Sequence, residues 1–161
     1  MFDLADLDIV TKGDEPQPLD LIDPRTNAVV VDADGQPARL YVLSSYSETM
    51  QDFMDEQANK QSKHAKQPTA EDVRDRALAI TARLLMARPW EHIHWAGQPL
   101  AFNVSNAKLL MQRLPWARRQ VELFAAQEGN FLPASSASSS STPSTNAGSA
   151  STSTDVAAAN G

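Results

Sequence analysis

Residues 19–43 read LDLIDPRTNAVVVDADGQPARLYVL, and this stretch decides the fold class. Apolar residues run into a turn signal at Asp23-Pro24 and Thr26-Asn27, resume at Val29-Val30-Val31, break at Asp34-Gly35 and resume at Leu40-Tyr41-Val42-Leu43. Pro24 presets a turn dihedral, Asp34-Gly35 supplies the positive φ of a tight hairpin, and the β-branched run between them suits a pleated surface. The pattern predicts an antiparallel three-stranded meander. A sheet of that size cannot stand alone, so it calls for helices over its apolar face.

The sequence downstream supplies them. Ser45 and Glu48 have capping-box spacing, and Tyr46, Met50, Phe53, Met54 and Gln57 follow a helical stripe. A polar, basic stretch from Ala58 to Gln67 reads as a helix end or linker, and a second capping box, Thr69 to Asp72, opens the next helix. Val73, Ala77, Ile80, Thr81, Leu84 and Leu85 repeat there at three and four, and Pro89 is the predicted stop. After a turn over residues 90–102, Asn103 can cap a short helix carrying Ala107, Leu110, Met111 and Leu114. Pro115 then starts a last helix with Trp116, Gln120, Leu123, Phe124 and Gln127 on one side and Gly129 as its C-terminal cap. The predicted class is α+β: a small three-stranded meander followed by about four helices.

From Pro133 the chain turns to PASSASSSSTPSTNAGSASTSTDVAAANG, whose only charge is Asp155. Such a segment has too little apolar area to offset chain entropy and is expected to be a disordered tail. The expected organisation is a folded body over 1–132, β-rich over 1–43 and helical over 44–132, followed by a tail over 133–161. With 161 residues there is room for one ordinary domain.

Composition narrows the functions. The chain has no cysteine, so thiolate zinc sites, thiol nucleophiles and disulfides are excluded. The opening MFDLADLDIV carries acids where a signal peptide needs bases, and no segment approaches the ~20 apolar residues of a membrane span, so a cytoplasmic protein is expected. A net charge of −6 disfavours nucleic acid and favours a protein partner. The charge is also divided: residues 1–34 hold nine acids and two bases, while residues 58–119 hold four acids and eleven bases. Such polarity can steer a charged partner or self-association.

Catalytic and metal signatures are weak. His92 and His94 would point the same way on an extended segment, but two ligands do not make a site, and imidazoles beside Trp90 and Trp95 are more often packing or surface groups. Asp3, Asp6 and Asp8 lack the glycine turn and terminal glutamate of a calcium loop. No phosphate loop, dinucleotide fingerprint or Ser-His-Asp signature is present, so neither a cofactor nor an enzymatic activity is expected. What remains is apolar: Met50, Phe53, Met54, Trp90, Trp95, Trp116 and Phe131 are the candidate partner-binding residues, because aromatic and methionine side chains give large, adaptable contact area.

The second half, read as Trp90, Trp95-Ala96-Gly97-Gln98-Pro99-Leu100, Phe102, Ser105-Asn106-Ala107, Leu110, Pro115-Trp116, Arg119-Gln120-Val121 and Asn130-Phe131-Leu132, resembles the tail assembly chaperones of long-tailed, siphovirus-type bacteriophages. The first half is similar too, with its short opening Met1 to Leu4, an Asp-Pro turn at Asp23-Pro24, a second turn at Asp34-Gly35-Gln36-Pro37 and a strand at Leu40 to Leu43. Asn27-Ala28 departs from it, standing where a glycine turn would be more typical. The resemblance implies a late protein of virion morphogenesis in the host cell cytoplasm, absent from the mature virion. Its implied partners are the long helical tape measure protein, which it keeps soluble, and the tail tube protein, whose subunits it helps recruit. A minor structural tail protein retained in the particle would share the same size, charge and composition.

Overall fold

The computed structural model describes residues 3–63 and 67–133; the expected tail beyond Pro133, and His64 in the expected linker, lie outside them. The chain enters through two short turns fixed by aspartates. Asp3 accepts the Ala5 N–H at the start of a 3-10 turn, Leu4–Leu7, and Asp8 accepts the Val10 and Thr11 N–H groups at the start of α1, Ile9–Lys12. Both carboxylates take up amides that a helix start leaves unpaired. Gly13 follows, and its carbonyl accepts the Ser44 N–H at 3.1 Å, which ties the entrance to the centre of the fold.

Strand β1, Gln17–Asp20, pairs antiparallel with β2, Arg39–Val42, in a register that sets Gln17 opposite Val42 and Asp20 opposite Arg39. An Arg39–Asp20 ion pair at 2.7 Å reinforces that register on the sheet's half-exposed side. The expected three-stranded meander is therefore replaced by a two-stranded sheet. Its outer strands pair with each other and leave no slot between them, so the Val29–Val31 segment folds over the end of the hairpin and makes only the isolated bridges Ile22–Val29 and Val31–Pro37. Three segments close there in a triangle of backbone hydrogen bonds: Leu21 N–H to Ala38 O, Ala38 N–H to Val30 O, and Val30 N–H to Leu21 O. Asn27 turns the first corner with φ 61° and Gly35 the second with φ 79°. Asparagine tolerates the left-handed region, which is how Asn27 serves where glycine is typical.

Helix α2, Glu48–Lys63, begins later than the Ser45 box suggests. Its first amides are met by Ser47, whose hydroxyl accepts the Met50 N–H, and by Asp14 from the entrance segment, whose carboxylate accepts the Thr49 N–H at 2.9 Å. Helix α3, Ala70–Arg83, has the expected Thr69–Asp72 capping box, with both reciprocal hydrogen bonds formed. It ends well before Pro89, because the chain tightens through Leu84 and Leu85 and the Leu84 carbonyl accepts the Leu43 N–H at 2.9 Å. Where a plain turn was expected after Trp90, a small hairpin forms, β3 His94–Trp95 with β4 Gln98–Pro99. Asn103 caps α4, Val104–Arg113, and Pro115 is the first residue of α5, Pro115–Ala126, both as expected. Gly129 is no helix cap; it lies inside a 3-10 turn, Glu128–Asn130.

The core gathers Leu40, Val42 and Leu43 of the sheet with Met50, Leu78, Ala82 and Leu85 and the buried faces of α4 and α5. Ala107, Leu110 and Met111 are buried on α4 as its periodicity predicts. On α5 the inward stripe is Ala117, Val121 and Ala125, one position away from the aromatic stripe expected, and Leu123 is exposed. The sharp Pro115 connection brings α5 close to α4, and small side chains at every fourth position suit such an approach while the rings flank it. Val73, expected on the buried stripe of α3, is also exposed. No helix among the described residues is long and apolar enough to cross a membrane.

Candidate functional site

A cleft of about 700 Å³ opens between the 21–38 excursion, the β3–β4 hairpin and the junction of α4 with α5. Its apolar lining includes Leu21, Val30 and Ala38 from the excursion, Trp95 from the hairpin, and Leu110, Leu114 and Trp116 from the helices. Each wall is held by an identifiable contact. Gln120 on α5 clamps the excursion through both ends of its amide, accepting the Ile22 N–H at 2.9 Å and donating to the Ile22 carbonyl at 2.8 Å. The segment leading into the hairpin is fastened to β2 by reciprocal backbone hydrogen bonds between Arg39 and Glu91, at 3.0 and 2.9 Å, while the Tyr41 hydroxyl donates to Glu91 at 2.7 Å.

Trp95 reaches the cleft because of the turn that follows it. Ala96 and Gly97 have φ 52° and 82°, the pair of positive values that lets a two-residue loop match the twist of a hairpin. Trp116 reaches it because Pro115 starts α5 at the rim. Both indoles are half-buried, with part of each ring facing solvent.

The polar rim is acidic. Asp32 accepts the Asp34 and Gln36 N–H groups, each at 2.9 Å, and its other oxygen lies 3.2 Å from His92 Nδ1. The Gln36 amide above all holds the Asp32 carboxyl below its ordinary range against the effect of burial, helped by the Asp34 amide and by the proximity of the His92 and His94 imidazoles. His92 makes this contact from a left-handed backbone, φ 57°, so the strand expected to align His92 with His94 is broken at His92. Asp23 grips Arg25 through both oxygens, at 3.1 and 2.8 Å, and the guanidinium draws its carboxyl from 3.8 down to about 2. Among the described residues no group of three or more His, Cys, Asp or Glu side chains could hold a metal ion.

The seven candidate partner-binding residues separate into two sets. Met50, Trp90 and Phe131 are only 2%, 9% and 6% exposed and offer little surface on the folded body. Met50 lies in the central core; Trp90 donates its indole N–H to the Leu100 carbonyl and meets Phe102 edge-on at 5.1 Å; Phe131 packs edge-on against Phe124 at 5.6 Å. Phe53 is half-buried and Met54 is 43% exposed on α2, outside the cleft lining, whereas Trp95 and Trp116 both line the cleft. Sequence periodicity did not single out Gln120 as the clamp, although a long amide amid the apolar positions of α5 is the available signal. Comparison with protein-family models, curated proteins and solved structures finds no match for the chain.

Proposed function

We propose that this protein is a tail assembly chaperone of a long-tailed bacteriophage, acting by binding and not by catalysis. It holds the tape measure protein soluble in the host cytoplasm, helps tail tube subunits gather on it, and leaves before the virion matures. The observation that carries this reading is the open cleft with two half-buried tryptophans over an apolar floor. Exposed aromatic area of this kind is what covers a repeating apolar helix reversibly. The order of motifs from Trp90 to Leu132 supports the same reading by resemblance.

Co-expression with the phage's tape measure protein tests it. The tape measure protein is expected in the soluble fraction with the wild-type chain and in the pellet with a Trp95→Ala, Trp116→Ala double variant that still melts cooperatively. Tape measure solubility that is indifferent to the chaperone would sink the proposal. Stoichiometric recovery of the chain from purified particles would favour a retained structural tail protein instead.

A further inference from the structure

We infer that the cleft takes an amphipathic helix whose apolar stripe is flanked by lysine or arginine. This deepens the chaperone reading and rests on it for the partner's identity, but its chemistry follows from the walls. The cleft lining carries the carboxylates Asp23, Asp32 and Asp34 against one guanidinium, Arg25, so wherever His92 and His94 are uncharged it is net negative. Arg25 is already held by both oxygens of Asp23, and Asp34 is exposed. A cationic flank is attracted by such a rim and can also lie against the faces of Trp95 and Trp116, whereas an acidic one is repelled.

The backbone decides between a helix and an extended strand. The amides of Leu21, Val30 and Ala38 are spent on one another in the triangle, and β3 and β4 pair with each other. The excursion wall therefore offers side chains and no unspent amide at these three positions, and a guest lying against it satisfies its own backbone hydrogen bonds, as a helix does.

The test uses the full 161-residue chain and synthetic peptides of roughly five helical turns. Two share one leucine stripe and differ only in Lys or Glu flanks; a third has Lys flanks and a scrambled stripe. Titration calorimetry and tryptophan fluorescence read the affinity. The Lys-flanked helix should bind about tenfold or more tighter than the Glu-flanked one at low ionic strength, with the gap closing as salt is raised. The scrambled peptide should bind weakly. Trp95→Ala should weaken the Lys-flanked complex about tenfold or more. Arg25→Gln removes the rim's guanidinium at an exposed site and should tighten the complex about two- to fivefold.

Equal affinity for the two flanks, preference for Glu, or no effect of Trp95→Ala in a variant that melts like wild type overturns the inference. If the Lys-flanked helix binds as described while tape measure solubility ignores the chain, the chaperone reading falls and the cleft assignment stands. If solubility depends on the chain but the flanks do not matter, the reverse holds.

Discussion

At the scale of single residues, Gly13 sits where an added side chain has no room. A Cβ built there would sit 2.6 Å from the Ile9 carbonyl oxygen and 2.6 Å from Ser44 Cβ. Neither neighbour can step aside cheaply, since the Ile9 carbonyl accepts the Gly13 N–H at 2.8 Å and the Gly13 carbonyl accepts the Ser44 N–H. Gly13→Ala should therefore destabilise the protein by roughly 1–3 kcal/mol, the usual cost of overpacking, seen as a lower denaturant midpoint at unchanged slope. Gly129→Ala is the control: an added Cβ there meets nothing within 4 Å, and the midpoint should barely move. The role of Gly13 was not legible in the sequence, because it depends on contact with a residue far along the chain. Gly35 was legible, because the turn it serves is local.

At the scale of elements the same division recurs. The Thr69–Asp72 box, the Asn103 cap and Pro115 at the head of α5 were legible because a helix start is written in four or five consecutive residues. The pairing of β1 with β2 was not, since turn residues announce a reversal without saying which segments will pair across it. The β3–β4 hairpin was missed because Ala96 is an unusual occupant of positive φ, and the face of α5 because alanines carry little weight in an apolar pattern. Trp95 and Trp116 were legible as candidates, but their placement in one cleft depends on Gln120 and the Arg39–Glu91 bridge, which span distant segments. Helix α2 shows what position within an element decides. Met50 is in the core and Met54 is exposed one turn later, so Met50→Ala should cost about 2–5 kcal/mol and Met54→Ala no more than about 0.5 kcal/mol in chemical denaturation. Equal losses at the two positions would show that α2 is oriented differently.

At the scale of the whole molecule, pinned carboxylates link its segments to pH. Asp8 at the entrance, Asp23 and Asp32 on the excursion and Asp72 at the head of α3 all sit below the ordinary carboxylate range. Their leading causes differ: the Thr11 hydroxyl for Asp8, the Arg25 guanidinium for Asp23, the Gln36 amide for Asp32 and the Thr69 amide for Asp72. A depressed folded pKa means that the unfolded chain binds protons first. Each group thus contributes stability above its unfolded value and loses it as pH falls through the folded one. For Asp23 that interval runs from 3.8 down to about 2. The melting temperature should accordingly fall as pH is lowered across this interval. Asp23→Asn keeps an oxygen to accept the Arg25 backbone N–H but loses the charge and the second oxygen that accepts from the guanidinium, so the variant should start lower at neutral pH and lose less on acidification. Parallel pH profiles for the variant and the wild type would show that the Asp23–Arg25 pair, exposed on its arginine side, contributes nothing to the acid transition and would leave that transition to the remaining carboxylates.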